Sequence, residues 1–159
     1  MKPNTILCKK MSLSKEYTED IILGSLLHDI GKIGIIESVL NKQEKLTRTE
    51  YDHIKTHVII GERILTPIIK NGTVIKIVRH HHEHIDGSGY PDGLKGTAIP
   101  LEARIVAVAD TYDALLSERP YRKAINNINA LKELRKFSGI HFDAEIVEIL
   151  TTNGCRLVK

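Results

Sequence analysis

From Leu101 to Asp110 the chain reads Leu-Glu-Ala-Arg-Ile-Val-Ala-Val-Ala-Asp, and from Ile105 to Ala109 it is apolar nearly all round a helical wheel. A surface helix carries one apolar stripe; a helix apolar on every side is buried by its neighbours. Other elements must therefore surround this segment. Pro100 suits its first position and Glu102 its first turn. Ser14 is a helix N-cap followed by Glu16, which predicts a helix from Lys15 to about Ile30, with Gly31 as its stop. Residues 5–11 read as the end of an earlier helix. Thr47-Arg48-Thr49-Glu50 fits a capping box. After it Tyr51, Ile54, Val58, Gly61 and Leu65 recur at helical spacing until Pro67. Another helix fits between Pro67 and His82, although periodicity alone equally allows a short strand over Thr73–Val78. Asn126 or Asn127 caps a helix ending before Gly139, and Asp143 caps a last one ending near Asn153-Gly154. The expected fold is all-α, a compact bundle of about six or seven helices. At 159 residues a single domain over 1–159 is expected.

Apolar residues make up 42% and charged residues 27%, a soluble globular balance. A net charge of +3 gives no argument for a nucleic-acid polymer as partner. No apolar stretch reaches bilayer-spanning length, and Lys9 and Lys10 interrupt any N-terminal signal pattern. Cys8 and Cys155 lie far apart and form no CxxC pair, so a disulfide framework is not expected and the cytoplasm is the expected compartment.

The chemistry is concentrated in histidine and aspartate. Of eight histidines, four fall within residues 80–84. His28-Asp29 closes a helix after an apolar run, where a carboxylate faces the negative end of the helix dipole and loses solvation. A bound cation would relieve both costs; a surface Asp with a nearby capping Lys is the plainer alternative. His53 and His57, four apart, share one helix face, and either could be an ordinary hydrogen-bonded histidine. His80-His81-His82-Glu83-His84 offers several imidazoles, which suit iron, zinc and nickel. Adjacent members diverge by roughly 100° on a helix, so spacing does not select the ligands. Asp110 ends the buried run, and needs a cation, either a metal or a salt-bridge partner such as Arg79 or Arg104. The loop Asp86-Gly87-Ser88-Gly89-Tyr90-Pro91-Asp92-Gly93 is Gly-rich, but lacks the pattern of a dinucleotide fold or a P-loop. Its position after the histidines suggests the rim of a site. Arg119, Arg122 and Lys123 form a basic group able to bind phosphate.

Together these motifs resemble the HD-GYP domain, the branch of the HD metal-dependent phosphohydrolases that degrades cyclic di-GMP. The resemblance rests on His28-Asp29-Ile30-Gly31-Lys32-Ile33-Gly34, Lys55-Thr56-His57, His81-His82-Glu83, Asp86 through Gly96, Pro100 through Asp110, and Arg119 through Ala124. It implies an HD-type helical fold with a GYP-containing loop. It also implies two or more divalent metal ions, iron or manganese, held by His28, Asp29, His57, His81, His82 and Asp110, with Asp29 bridging. Asp29 and Lys32 would be catalytic; Lys32, Tyr90, Arg119 and Arg122 would contact substrate. Hydrolysis of cyclic di-GMP to pGpG, and on to GMP, is the implied activity in bacterial second-messenger signalling. The alternative is an impaired domain that binds metal or cyclic dinucleotide and signals through protein partners at the GYP loop. An upstream sensory or receiver domain fits the same resemblance. One difference stands out. The family has a further His ligand on its first helix, but none of the 27 residues before His28 is His. Most of that helix is therefore expected to be lacking.

Overall fold

The computed structural model describes residues 3–118 and 124–154. Among them the chain forms α1 (Pro3–Lys10), α2 (Lys15–Leu27), α3 (Glu37–Leu40), α4 (Arg48–Lys55), α5 (His57–Leu65), α6 (Gly72–His80), α7 (Leu101–Leu116), α8 (Asn127–Lys136) and α9 (Ala144–Gly154). Short 3₁₀ segments cover Ile30–Gly34 and Gly96–Ala98, and there is no strand among the described residues. The fold is all-helical, as expected.

The local signals act as the residue types predict. Ser14 Oγ accepts from Tyr17 N–H, and Asn126 and Asp143 cap α8 and α9 in the same way. Thr47 and Glu50 complete their capping box. Residues 72–80 are helix, which settles the strand alternative.

Two boundaries differ from the sequence expectation. First, α2 ends at Leu27 instead of Ile30, because the chain tightens into the 3₁₀ turn that carries Gly31. Second, the helix expected from Thr47 to Pro67 is two helices. At the break the Thr56 hydroxyl and its backbone N–H both donate to the His53 carbonyl. A side chain that competes for a helix carbonyl bends the helix there. Together with the single turn of α3, this split raises the helix count above the expected six or seven.

The central helix is α7, with Ile105, Val106, Val108 and Ala109 buried. It packs against α1, α2, α6, α8 and α9. Cys8, Ile21, Ile77, Leu134 and Leu150 complete the aliphatic core around it. A separate seam joins the 3₁₀ segment, α5 and α6, and the chemistry lies along that seam.

Candidate metal centre

Five segments converge on one place. His28 and Asp29 come from the turn after α2, His57 is the first residue of α5, and His81 and His82 follow α6. Asp110 projects from α7, and Tyr90 comes from the Gly-rich loop. Asp29, His57, His81 and His82 each bring one ligand atom to within 4.8 Å of the others.

The backbone aims the rings. His57 Nδ1 donates to the Ile54 carbonyl at 2.7 Å, and His81 Nδ1 to the Ile77 and Val78 carbonyls at 3.1 Å. A carbonyl can only accept, so Nδ1 carries the proton and Nε2 presents a lone pair. Those lone pairs have no hydrogen-bond partner: His57 Nε2, His81 Nε2 and Asp29 Oδ1 are buried and unsatisfied. Buried polar atoms are rarely left so, and each such atom costs about 1–3 kcal/mol. Three of them facing one point fit a divalent cation, and the nitrogen-rich donor set with one carboxylate suits a first-row transition metal.

Asp29 stands between two groups. Its Oδ1 lies 3.5 Å from His57 Nε2, and its Oδ2 lies 3.3 Å from His28 Nε2 and 2.6 Å from Lys32 Nζ. His28 Nε2 is also 3.6 Å from Asp110 Oδ1, and His28 Nδ1 is held by the Ser25 carbonyl. The expected alternative partners of Asp110 are occupied elsewhere: Arg79 pairs with Glu62 and Asp92, and Arg104 with Asp143.

Charge follows burial and neighbours. Burial lowers the pKa of His57 and His81, and burial with the nearby His57 lowers that of His82 to about 3. These imidazoles are neutral at pH 7, the form that ligates. At Asp29 burial acts upward, but His28 and Lys32 overcome it and hold the carboxyl well below its ordinary range. At His28 burial acts downward, but Asp29 and Asp110 prevail and raise its pKa.

These shifts set an acid limit for the metal-free protein. The unfolded chain protonates its histidines near pH 6.5, whereas folded His57, His81 and His82 resist protonation. Below that pH the unfolded state binds more protons, so stability falls as pH falls. For His82 the loss runs down to about pH 3. His28 acts in the opposite sense, one residue against three. Urea midpoints of chelator-treated protein are therefore expected to be lower at pH 5 than at pH 7.5; equal midpoints would contradict the neutral cluster.

The Gly-rich loop closes over the centre. Tyr90 N–H donates to the His82 carbonyl, and the Tyr90 ring stacks on the His82 ring at 4.8 Å. A Cβ on Gly89 would lie 2.3–2.5 Å from backbone atoms of His82, Glu83 and His84, so only glycine allows this approach. Asp92 pins the loop to α6 by accepting from Arg79 Nε and Nη2, at 2.8 Å each, and through His80.

Sequence reasoning missed Glu83. Its carboxylate is 2% exposed and accepts the backbone N–H groups of Asp92, Gly93 and Leu94. No local signal pointed to it, because its partners lie nine to eleven residues further along the chain. Gln in its place keeps one acceptor oxygen and turns the other into a donor. Glu83→Gln is expected to destabilise the protein by about 1–3 kcal/mol and to speed amide exchange at residues 92–94. An unchanged melting temperature would remove Glu83 from that role.

The remaining histidines serve locally. His53 accepts from Ile36 N–H, His80 binds Asp92, and His84 stacks on His141 at 4.1 Å. Arg119, Arg122 and Lys123, expected at the phosphate, lie outside the described residues.

Residues 4–146 match the family described as HD domain. Similar proteins include the cyclic di-GMP phosphodiesterase response regulator RpfG of Xanthomonas campestris, 46% identical over 96% of this chain and 41% of that protein. A cyclic di-GMP phosphodiesterase of Thermotoga maritima is 42% identical over 89% of this chain and 39% of its own length. The chain thus spans about two fifths of these curated relatives. Among solved structures, a cyclic GMP-AMP specific phosphodiesterase of Vibrio cholerae superimposes with a TM-score of 0.72 at 22% identity, covering 98% of this chain and 42% of that one. At that identity the likeness concerns the fold.

Proposed function

The chain belongs to the HD domain family, and from that premise we propose that it is a metal-dependent phosphodiesterase that hydrolyses cyclic di-GMP to the linear dinucleotide pGpG. The observation that carries this reading is the convergence of three buried, unsatisfied acceptor atoms, on Asp29, His57 and His81, beside His82. The relatives named as cyclic di-GMP phosphodiesterases supply the substrate class.

Asp29, His57, His81 and His82 would hold one ion, and His28, Asp29 and Asp110 a second, with iron or manganese the proposed metals. Such ions, when bound, neutralise phosphate charge and acidify coordinated water. The chain's own side chains do the rest. Asp29 offers an oxygen to each group of histidines. Lys32 places its ammonium on Asp29 Oδ2, where a phosphate oxygen would meet it as transition-state charge grows. The neutral imidazoles leave their lone pairs available without a competing proton. Tyr90 and the closed loop wall off one side of the centre and thereby limit access of bulk water. Arg119 and Arg122 are proposed as further phosphate ligands. The GYP loop is a proposed contact for protein partners, and the 1–159 segment is proposed as one HD-GYP domain. An upstream sensory or receiver domain and a cytoplasmic location are part of the same proposal. No described helix is long and apolar enough to cross a membrane.

The test combines metal analysis with product analysis. Manganese- or iron-loaded protein is expected to release pGpG from cyclic di-GMP. The His57→Ala variant is expected to hold fewer ions per chain and to release less product. Tight binding without any product would favour the signalling role over catalysis, and unchanged ion content in the variant would exclude His57 as a ligand.

A further inference from the structure

Beside the metal centre lies a second feature that the reaction does not use. A cavity of about 410 Å³ opens between the 3₁₀ segment and the stretch joining α3 to α4. That volume falls within the roughly 300–1,000 Å³ typical of small-molecule sites. Its walls include the aliphatic side chains of Val39, Leu46 and Ile54 and the polar side chains of Gln43 and Glu44. Lys32 lines it as well, while its ammonium rests on Asp29 Oδ2 at 2.6 Å. One lysine side chain therefore separates the cavity from the candidate reacting centre, about the reach of a base from its own phosphate.

The charges in this cavity are unevenly committed. Lys42 is paired with both oxygens of Glu50, at 2.7 and 2.8 Å. The exposed Gln43, Glu44 and Lys45 side chains make no hydrogen bond or ion pair among the described residues. An aliphatic wall with a free carboxylate, a free amide and the Lys45 ammonium at one edge suits a flat heterocycle that presents donors beside an acceptor. A carboxylate only accepts. The guanine edge offers two adjacent donors, the ring N1–H and the exocyclic amine. Adenine offers an unprotonated N1 there, which a carboxylate repels.

We infer that this cavity is the pocket for one guanine of a cyclic dinucleotide, and that Glu44, assisted by Gln43, selects guanine over adenine. The inference rests on the phosphodiesterase reading and goes beyond it by assigning base specificity to the segment between α3 and α4. Both ligand types for which similar proteins are named, cyclic di-GMP and cyclic GMP-AMP, carry the one guanine that such a pocket would take.

The experiment measures dissociation constants of manganese-loaded protein for hydrolysis-resistant phosphorothioate analogues of cyclic di-GMP and cyclic di-AMP. Wild type is expected to prefer the guanine analogue by at least about tenfold, the ratio one well-placed hydrogen-bonded pair supplies. Glu44→Gln is expected to reduce that preference about tenfold, mainly by weakening the guanine analogue. Leu46→Trp, which fills the cavity from an outer segment, is expected to weaken both analogues. Binding by wild type with neither variant changed would overturn the pocket and leave the phosphodiesterase reading standing. Equal wild-type affinity for both analogues would overturn the assignment to guanine. Failure of wild type to bind either analogue would overturn the pocket and that reading together.

Discussion

Asp29→Asn is expected to reduce the release of pGpG from cyclic di-GMP by at least about 10³-fold while leaving the fold intact. The substitution preserves shape and removes one charge at the point where the site depends on it. The amide has two orientations, and both fail. With its nitrogen toward His57 it donates to Nε2, 3.5 Å away in the carboxylate form, and occupies the lone pair a metal needs. With its nitrogen toward Lys32 it sets donor against donor across what is now a 2.6 Å ion pair. Either orientation also removes the anion that holds the His28 pKa up. The first orientation satisfies a buried atom that is now unsatisfied, which offsets part of the lost pairing with His28 and Lys32, so the metal-free variant is expected to stay folded. Circular dichroism, ion content per chain and chromatographic product analysis together check this. Activity within about tenfold of wild type would place Asp29 outside the reacting centre, whatever the ion content.

How much of this centre the residues disclose in advance depends on whether the chemistry is local. His28-Asp29 and Asp110 were legible because each puts a charge at the end of an apolar helical run, a cost that local reasoning detects. The caps at Ser14, Thr47, Asn126 and Asp143 were legible for the same reason: a cap and its partners lie within three residues. The choice among His80 to His84 was not legible from spacing, and only the resemblance of the motif picked out His81 and His82, the pair that the fold brings to Asp29 and His57. Helical spacing separates adjacent side chains by roughly 100°, which argues against His81 and His82 sharing a target. In the fold His81 is the C-cap of α6, still αR with its N–H on the Ile77 carbonyl, His82 lies in the turn just beyond, and both nevertheless reach the same point. Glu83 was illegible for a different reason. Its role is to accept three N–H groups nine to eleven residues ahead, and nothing at Glu83 itself reports a loop folding back. The partners proposed for Asp110, Arg79 and Arg104, were chosen by charge alone. Tertiary packing gave them nearer carboxylates at Glu62, Asp92 and Asp143. The break at Thr56 has a local cause in the bonds to the His53 carbonyl, and the 3₁₀ segment lies across α5 just beyond it.

That crossing underlies the second large effect, at Gly31. A Cβ built on Gly31 lies 1.9 Å from the His57 carbonyl oxygen and 2.5 Å from Gly61 N. Both are backbone atoms of one helix, so no rotamer change relieves the clash; α5 or the 3₁₀ segment must move. Overpacking against yielding side chains costs about 1–3 kcal/mol, and unyielding backbone is expected to exceed that range. For a protein of this size about 3 kcal/mol lowers the melting temperature by roughly 6–12 °C. The same displacement acts on the chemistry, because His57 begins α5 and its Nε2 is positioned by the helix that Gly31 supports. Gly31→Ala is therefore expected to lower stability and ion content together. Gly72→Ala is the control, because a Cβ there meets nothing within 4 Å. It is expected to be neutral or slightly stabilising through the unfolded chain. Thermal melts of chelator-treated protein isolate the packing effect, since no bound ion then contributes to either melting temperature. A Gly31→Ala melt within about 2 °C of wild type, roughly the shift from half to one kcal/mol, would mean that the two backbones are not in contact. In that case the glycine of this motif would be serving something other than the approach of the 3₁₀ segment to α5.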